Sequence, residues 1–290
     1  MIVAVTGGKG GTGKSFVATN LAVLLSKRHR LVLADLDVEA PNDHILLGAR
    51  LSGEEAVKIM FPFIDYDKCI RCRACVNVCD TGAMLSSREG LPYVIPRLCS
   101  GCKSCLFVCP TKAIVAGERI IGRTYMTPIK VGGSGFTLVT GMLKEGEEHT
   151  PPVVLAARRR ALAVDADIYL VDTAAGTSNT VSTAMYRAAA AVAVTEPTPL
   201  GLHDLELILR VMDELEIPRR YVVINKAGIG PSERHYALAE KYGASVVAEI
   251  PYSRDALESY VAGVPVVVSR PGSEPSKALR AVADVLEEVV

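Results

Sequence analysis

The sequence predicts an α/β fold in which a mostly parallel β-sheet carries helices on both faces. Short runs rich in β-branched residues alternate along the chain with amphipathic stretches of helical length. The strand-like runs are continuously apolar, which indicates that both faces of the sheet are covered. The segments between them are long enough to contain the crossover helices that parallel strands need. With 290 residues, of which 49% are hydrophobic, the chain can bury a substantial core.

The candidate elements follow this alternation in order. The strand candidates are short apolar runs bounded by turn-forming or polar residues: Ile2–Thr6, Leu31–Asp35, Ile168–Asp172, Ala190–Thr195, Tyr221–Asn225 and Ser245–Ile250. The helix candidates carry apolar residues at a spacing of three or four: Lys14–Ser26, Val153–Val164, Ser178–Ala189, Gly201–Leu215, Ser232–Tyr242, Ser253–Ala262 and Pro275–Val289.

One stretch of the chain breaks this alternation. From Pro62 to Gly117 the helical pattern stops, Pro and Gly separate short segments, and all eight cysteines occur. The stretch begins after the second strand candidate and ends before the third. Insertions of this kind are tolerated at exposed loops whose ends lie close together. The predicted organisation is therefore a sheet domain of residues 1–61 and 118–290 with an inserted small α+β domain of residues 62–117.

The eight cysteines form an internal repeat. In each half, three cysteines stand at positions i, i+3 and i+6, and a fourth follows four residues later. Zinc sites combine two pairs of ligands in one tetrahedron, so a zinc-binding module is the less favoured alternative. In two-cluster proteins with this doubled run, the fourth cysteine binds the other cluster. The spacing predicts two [4Fe-4S] clusters, one bound by Cys69, Cys72, Cys75 and Cys109 and the other by Cys99, Cys102, Cys105 and Cys79.

This cysteine pattern resembles that of bacterial two-cluster ferredoxins. The match covers all eight cysteines and Pro110, whereas Asp80 stands where the first half would usually have proline. A cluster with cysteine at all four positions has no site left for a substrate, so it suits electron transfer. The resemblance implies an inserted ferredoxin-like domain that serves an unidentified redox partner protein.

A glycine-rich loop lies between the first strand candidate and the first helix candidate. Its pattern, G-x₄-G-K-S/T, is that of loops in which backbone N–H groups and a helix N-terminus converge on phosphate oxygens. We expect Lys14 to reach the β- and γ-phosphates and the Ser15 hydroxyl to bind Mg²⁺. The predicted nucleotide-binding residues of the loop are Gly8, Lys9, Gly10, Gly11, Thr12, Gly13, Lys14 and Ser15.

The same loop contains a second lysine, Lys9, ahead of Lys14. Such a loop resembles the deviant Walker A loop of the MinD/ParA/nitrogenase iron-protein superfamily. The resemblance implies that Lys9 reaches across a homodimer to the partner's nucleotide, and that Lys9 and Lys14 both serve in catalysis. An exposed loop lysine without such a role is the alternative.

Acidic residues follow two of the strand candidates. Asp35 and Asp37 lie in a segment that resembles the switch I of this superfamily, which implies that Asp37 orients the attacking water and that Asp35 supports Mg²⁺. Asp172 ends another strand and resembles the Walker B carboxylate near the metal. A single aspartate at a strand end is often only a helix cap. Two of them after a phosphate-binding loop favour a Mg²⁺ site of Ser15, Asp35 and Asp172.

The base is predicted from the segment after a later strand. GTPases read guanine with Asn-Lys-x-Asp, whereas Asn225-Lys226-Ala227-Gly228 lacks the aspartate. The nucleotide is therefore predicted to be ATP. We expect Asn225 and Pro251 to lie near its base.

Taken as a whole, the chain resembles MinD-superfamily ATPases that contain an inserted ferredoxin domain. The function implied is Mg²⁺-dependent ATP hydrolysis that closes a homodimer and repositions the inserted domain for electron transfer. An iron–sulfur assembly scaffold or carrier is the alternative, although such proteins use a C-terminal C-x-x-C and no cysteine follows Cys109. A positioning ATPase of the MinD/ParA type is a further alternative, which would leave the cysteines unexplained.

Charge and hydropathy argue against other partners. The chain has 32 basic and 32 acidic residues and no basic stripe with interleaved aromatics, so nucleic-acid binding is not expected. No run of about 18 apolar residues occurs, so no membrane partner is expected. No export signal precedes the first strand candidate, which favours the cytoplasm, where cysteines stay reduced.

Overall fold

The computed structural model describes residues 1–289 of the chain. Within this range it has eleven strands: β1 (Ile2–Thr6), β2 (Leu31–Asp35), β3 (Glu55–Ile64), β4 (Met84–Ser86), β5 (Pro92–Val94), β6 (Ile114–Val131), β7 (Ser134–Leu143), β8 (Ile168–Asp172), β9 (Ala190–Thr195), β10 (Arg219–Ala227) and β11 (Ser245–Pro251).

The same range has eleven α-helices, with a 3₁₀ turn at Pro96–Leu98. The helices are α1 (Lys14–Leu25), α2 (Asp43–Leu46), α3 (Ala74–Asn77), α4 (Ser104–Val108), α5 (Thr150–Leu162), α6 (Asn179–Met185), α7 (Pro199–Glu214), α8 (Glu233–Lys241), α9 (Arg254–Ala262), α10 (Val266–Ser269) and α11 (Glu274–Glu287). None of these described helices is both long and apolar enough to cross a membrane.

Nine of the described strands form one sheet in the order β11-β10-β9-β1-β8-β2-β7-β6-β3, and β4 pairs with β5 separately. From β11 to β7, each pair of neighbouring strands is parallel. The prediction of an α/β fold with a mostly parallel sheet is confirmed. Because parallel strands point the same way, the carboxyl ends of β1, β2, β8, β9 and β10 lie at one edge of the sheet.

Alternate residues of the central strand β1 enter two different apolar clusters. Val3 and Val5 belong to a cluster that includes buried residues of α1 and α11. Ala4 belongs to a second cluster that includes buried residues of α7. Since successive strand residues point to opposite faces, helices cover the sheet on both faces, as predicted.

Strands β1, β2, β8 and β9 begin and end at the predicted residues. Helix α6 is shorter than predicted, because it ends at Met185 and Arg187 has a left-handed φ of 60°. Strands β3, β6 and β7 have no predicted counterpart. These three strands contain polar residues or glycines, so they lack the continuous apolar runs that identified the buried central strands.

The chain folds into two compact units, and the smaller unit contains all eight cysteines. The larger unit consists of Met1–Glu55, Thr124–Met142 and the chain from Val154 onward. The smaller consists of Ala56–Arg123 and Leu143–Val153. Its bounds are wider than the predicted residues 62–117. It includes strand residues on both sides of the cysteine-rich segment and also the separate segment Leu143–Val153, which the prediction placed in the sheet domain.

The segment Leu143–Val153 contributes a buried carboxylate to the smaller unit. Glu147 forms ion pairs with Arg119 and His149, and its side chain is only 2% exposed. Burial alone would raise the pKa of Glu147, but the hydrogen bonds from Arg119 and His149 outweigh it and lower the pKa to about 2. These contacts join positions that are distant in the chain, so no local sequence pattern marks them.

A substitution in α7 tests how that helix covers the sheet. Ile208 is fully buried, so Ile208→Ala removes apolar contacts and leaves a cavity. We expect the free energy of unfolding, measured by urea denaturation, to fall by about 2–5 kcal/mol. Ile45→Ala is the matched control, because Ile45 is 60% exposed; a change within about 0.5 kcal/mol is expected there. Equal losses in the two variants would contradict this packing.

Candidate functional site

Gly8 and Gly13, in the loop between β1 and α1, occupy positions that exclude a larger residue. A Cβ atom on Gly8 would lie 2.3 Å from the carbonyl oxygen of Asp204, and one on Gly13 would lie 2.2 Å from the side-chain nitrogen of Asn225. Gly13 also has a left-handed φ of 94°, immediately before the first residue of α1. The loop therefore turns tightly into the N-terminus of a twelve-residue helix, a setting that favours anions.

Lys14 begins α1 and is buried. Its ammonium group donates a hydrogen bond to the carbonyl oxygen of Lys9 at 3.0 Å. Burial lowers the pKa of Lys14, although the charges of Asp172 and Asp37 oppose this effect. A buried ammonium group in this position can exchange a backbone carbonyl for a phosphate oxygen.

A cleft of about 460 Å³ opens beside this loop, a volume typical of small-molecule sites. Tyr252 and Tyr260 lie in its wall and offer rings against which a base can stack. Gly8, Lys9 and Thr12 do not belong to the wall. The predicted site residues that line the cleft are Gly10, Gly11, Gly13, Lys14, Ser15, Asp37, Asn225 and Pro251.

Parallel pairing places Asp35 of β2 directly opposite Asp172 of β8, and both are buried. The carboxylate of Asp35 accepts hydrogen bonds from the backbone N–H groups of Asp37 (3.3 Å), Asn42 (3.0 Å) and Asp43 (3.2 Å). Asp35 thus anchors the loop that follows β2. The carboxylate oxygens of Asp172 accept no hydrogen bond of ordinary geometry from the described residues.

The structure adds a third carboxylate, Asp43, to this group. Asp43 is the first residue of α2 and is fully buried. One oxygen each of Asp35, Asp43 and Asp172 lie within 4.8 Å of one another. Neither oxygen of Asp43 has a hydrogen-bond partner of ordinary geometry among residues 1–289. No sequence signal marks Asp43, since it ends no strand and follows the two aspartates at a distance.

Burial raises the pKa of each of these carboxyl groups. The pKa of Asp172 rises to about 7, although the Ser15 hydroxyl and the Lys14 ammonium group oppose the shift. Burial, followed by repulsion from neighbouring carboxylates, raises the pKa of Asp35 and of Asp43. Carboxylates buried this close together need protons or a cation. Oxygen donors are the ligands that Mg²⁺ prefers, so the unpartnered oxygens of Asp43 and Asp172 fit Mg²⁺.

Asp37 lies nearer the solvent, half-buried in the wall of the cleft. Burial raises its pKa, while the positive charge of Lys14 opposes the shift. A carboxylate in this position can accept a hydrogen bond from a water molecule in the cleft.

Lys9 is held by its own chain. Its ammonium nitrogen lies 3.0 Å from the carboxylate of Glu196, which also pairs with Lys226 at 2.5 Å. The side-chain nitrogen of Asn225 donates to the carbonyl oxygen of Thr12 at 2.7 Å, so this amide holds the phosphate-binding loop. Glu196 directly follows β9. No sequence pattern predicts its contact with Lys9, so only the three-dimensional structure brings it to this site.

The cysteines of the smaller unit line two cavities, four to each. The first cavity is lined by Cys69, Cys72, Cys75 and Cys109. The second is lined by Cys99, Cys102, Cys105 and Cys79. Each set combines three cysteines from one half of the repeat with the fourth cysteine of the other half.

The backbone has the same shape in both halves of the cysteine repeat. Three pairs of equivalent positions have positive φ, between 54° and 74°. Four of these six residues are not glycine, and such conformations persist only where the surrounding structure fixes them. The equivalent pairs are Arg71 and Gly101, Arg73 and Lys103, and Gly82 and Lys112.

The fourth cysteine of each half receives a backbone hydrogen bond on its sulfur. The N–H of Met84 lies 3.3 Å from Sγ of Cys79, and the N–H of Ala113 lies 3.2 Å from Sγ of Cys109. Burial would raise the pKa of Cys109, but hydrogen bonds outweigh it and lower the pKa. Burial raises the pKa of Cys105 to about 11, so its thiolate depends on a bound metal. Two sets of four thiols fit iron–sulfur clusters by the chemistry of their donors.

A family model matches most of the chain. Residues 3–266 match the family model of the CobQ/CobB/MinD/ParA nucleotide binding domain. The chain belongs to this family. The family and its fold make the chain a nucleotide-binding P-loop ATPase, as predicted.

Several known proteins are similar to the chain in sequence or in structure over most of its length. An uncharacterised protein of Methanocaldococcus jannaschii is 36% identical over 264 residues, which cover 91% of this chain and 90% of the relative. A protein of Aquifex aeolicus named iron-sulfur cluster carrier protein is 27% identical, covering 100% of this chain and 68% of the relative. The septum site-determining protein MinD of Pyrococcus horikoshii, solved with Mg-ADP, has the same fold, with a TM-score of 0.61, 18% identity and coverage of 99% and 96%.

Asp43→Asn tests whether the third carboxylate belongs to a cation site. In EDTA we expect this variant to melt at a higher temperature than the wild type, because it removes one of three neighbouring buried charges. Addition of Mg²⁺ should then raise its melting temperature less than that of the wild type. Calorimetry measures both effects, and Asp284→Asn on the exposed face of α11 is the control. A lower melting temperature in EDTA with an undiminished Mg²⁺ effect would contradict the assignment.

Proposed function

We propose that the protein binds and hydrolyses ATP and couples nucleotide-driven closure of a homodimer to electron transfer through two [4Fe-4S] clusters. The observation that carries this proposal is the division of the eight cysteines between two cavities. Each cavity combines three cysteines of one half with the fourth of the other. This is the ligand exchange expected of two-cluster ferredoxin-like domains.

The donor sets favour electron transfer over chemistry at iron. Four thiolates fill the positions that a [4Fe-4S] cluster offers to protein ligands, which leaves none for a substrate. A cluster, when bound, supplies one-electron oxidation and reduction. The chain contributes N–H donors to the sulfurs of Cys79 and Cys109, and such hydrogen bonds help to set reduction potentials.

We assign a distinct task to each side chain of the nucleotide site. Lys14 neutralises the β- and γ-phosphates. Ser15, Asp35 and Asp172, joined by Asp43, would hold Mg²⁺. Asp37 orients a water molecule in the cleft. Buried, preorganised charges of this kind are the main source of catalysis in phosphoryl transfer. Lys9 acts on the nucleotide of a second copy.

Chain connectivity supports coupling between the two activities. The carboxylate of Asp35 anchors the loop after β2. The chain then passes through α2 and enters the smaller unit at Ala56. On this proposal the loop after β2 responds to the γ-phosphate. Only α2 and a short connection separate that loop from the unit that contains the cysteines.

A second candidate function is delivery of iron–sulfur clusters to other proteins. The name of the Aquifex aeolicus relative favours it. Incubation of the cluster-loaded protein with an apo-acceptor under anaerobic conditions separates the two functions. Rapid, ATP-dependent loss of both clusters to the acceptor would favour the carrier function, whereas retention with reversible reduction favours electron transfer.

Nucleotide coupling can be measured by anaerobic EPR-monitored redox titration. We expect MgATP to shift the potential of at least one cluster by about 59 mV or more, a tenfold change in a one-electron equilibrium. Lys14→Met should abolish this shift, because it removes the buried cation that binds phosphate. Two EPR-active clusters whose potentials and reduction rates ignore MgATP would refute the coupling while leaving the clusters in place.

Cysteine substitutions test the exchange of ligands between the halves of the repeat. We expect Cys69→Ser and Cys109→Ser to alter the EPR signal and potential of one cluster. Cys99→Ser and Cys79→Ser should alter those of the other. The exchange is wrong if Cys109→Ser and Cys99→Ser change the same cluster.

A further inference from the structure

Glu196 lies where the end of β9, the phosphate-binding loop and β10 come together. It follows the last residue of β9, which pairs with β1, and it is 7% exposed. One carboxylate oxygen lies 3.0 Å from the ammonium nitrogen of Lys9, in the phosphate-binding loop. The other lies 2.5 Å from the ammonium nitrogen of Lys226, in β10. A single buried carboxylate therefore holds two lysines from different elements.

The two lysines are held in different ways. Lys226 also donates to the carbonyl oxygen of Gly11 at 2.9 Å, and its backbone has a left-handed φ of 56°. Lys226 is therefore tied both to Glu196 and to the loop backbone. The ammonium group of Lys9 forms the described ion pair with Glu196 but lacks the second contact, to the Gly11 carbonyl oxygen, that Lys226 makes. Lys9 is the partner that can leave.

We propose that Glu196 is a positioning residue that holds Lys9 on its own chain until a second copy with bound nucleotide draws it away. This inference rests on the proposed homodimer, in which Lys9 acts on the nucleotide of the partner. In the conformation described here, Lys9 is engaged in cis and does not line the nucleotide cleft. Dimerisation then exchanges the carboxylate of Glu196 for phosphate oxygens.

Lys226 makes this exchange feasible. A buried ion pair is costly to break when the remaining charge is left without a partner. When Lys9 leaves, Glu196 keeps its ion pair with Lys226, so no buried carboxylate is stranded. The Lys226 contact to Gly11 also keeps the loop in shape while Lys9 moves.

The proposal predicts opposite effects for the two partners of Lys9. Glu196→Gln removes the charge that retains Lys9, so dimers should form more readily. Lys226→Met leaves Glu196 with Lys9 alone, so Lys9 should be held more tightly and dimers should form less readily. A purely structural role for this cluster would weaken the loop in both variants and shift dimerisation in the same direction.

Analytical ultracentrifugation with Mg²⁺ and a non-hydrolysable ATP analogue measures the effect. We expect the dimer dissociation constant to fall about tenfold in Glu196→Gln and to rise several-fold in Lys226→Met. Glu196→Asp should stay close to the wild type, and Glu214→Gln, an exposed matched control, should not change it. Lys9→Ala should abolish nucleotide-dependent dimers, and adding Glu196→Gln to it should restore none.

The outcomes separate this proposal from the homodimer on which it rests. If the wild type dimerises with the analogue but Glu196→Gln dimerises no more tightly, the role of Glu196 is wrong and the homodimer stands. If no variant dimerises with the analogue, both are wrong. Changes of the same sign in Glu196→Gln and Lys226→Met also overturn the proposal. If Glu196→Gln does not fold, the sign of the Lys226→Met effect decides.

Discussion

Parallel pairing of the central strands determines where the chemistry of this protein lies. Because β1 pairs in parallel with β8 and β9, and β8 with β2, the residues at the carboxyl ends of these strands lie at one edge. The phosphate-binding loop leaves β1 there. Asp35 and Asp172 face each other there in register, and Glu196 follows β9 there. A shift of one residue in the pairing of β2 with β8 would remove Asp35 from its place opposite Asp172.

Several buried charged side chains lie close together at that edge, so each one needs a partner of opposite charge or a hydrogen-bond donor. Asp35, Asp43 and Asp172 are buried close together, and Lys14 is buried beside them. Asp35 is stabilised by backbone N–H groups, whereas the oxygens of Asp43 and Asp172 have no such partners among the described residues. Burial of unpaired carboxylates is costly without a cation or a proton. The carboxylates therefore fit Mg²⁺ and the Lys14 ammonium group fits phosphate, because their charges are complementary.

The smaller unit has a small apolar core, and cysteines belong to it. One apolar cluster of this unit is centred on four buried residues: Cys75, Met84, Cys105 and Ile114. Two of the four are cysteines, so predicted cluster ligands are also core residues. Units of fewer than about 80 residues often rely on metals or disulfides for part of their stability. The repeated left-handed backbone positions fix the cysteines around the two cavities, and clusters bound there would complete the core.

The sequence by itself determined the features that depend on local spacing. The bounds of β1 and β2, the glycine-rich loop and the division of the cysteines into two sets of four all follow from short patterns. Tertiary structure alone decided which distant residues meet. Asp43 reaches the carboxylate group because the loop after β2 folds back onto Asp35, and Glu196 reaches Lys9 because β9 pairs with β1. Periodicity records the burial of a residue along its own element, but contacts across a sheet edge depend on strand order, which no local pattern encodes.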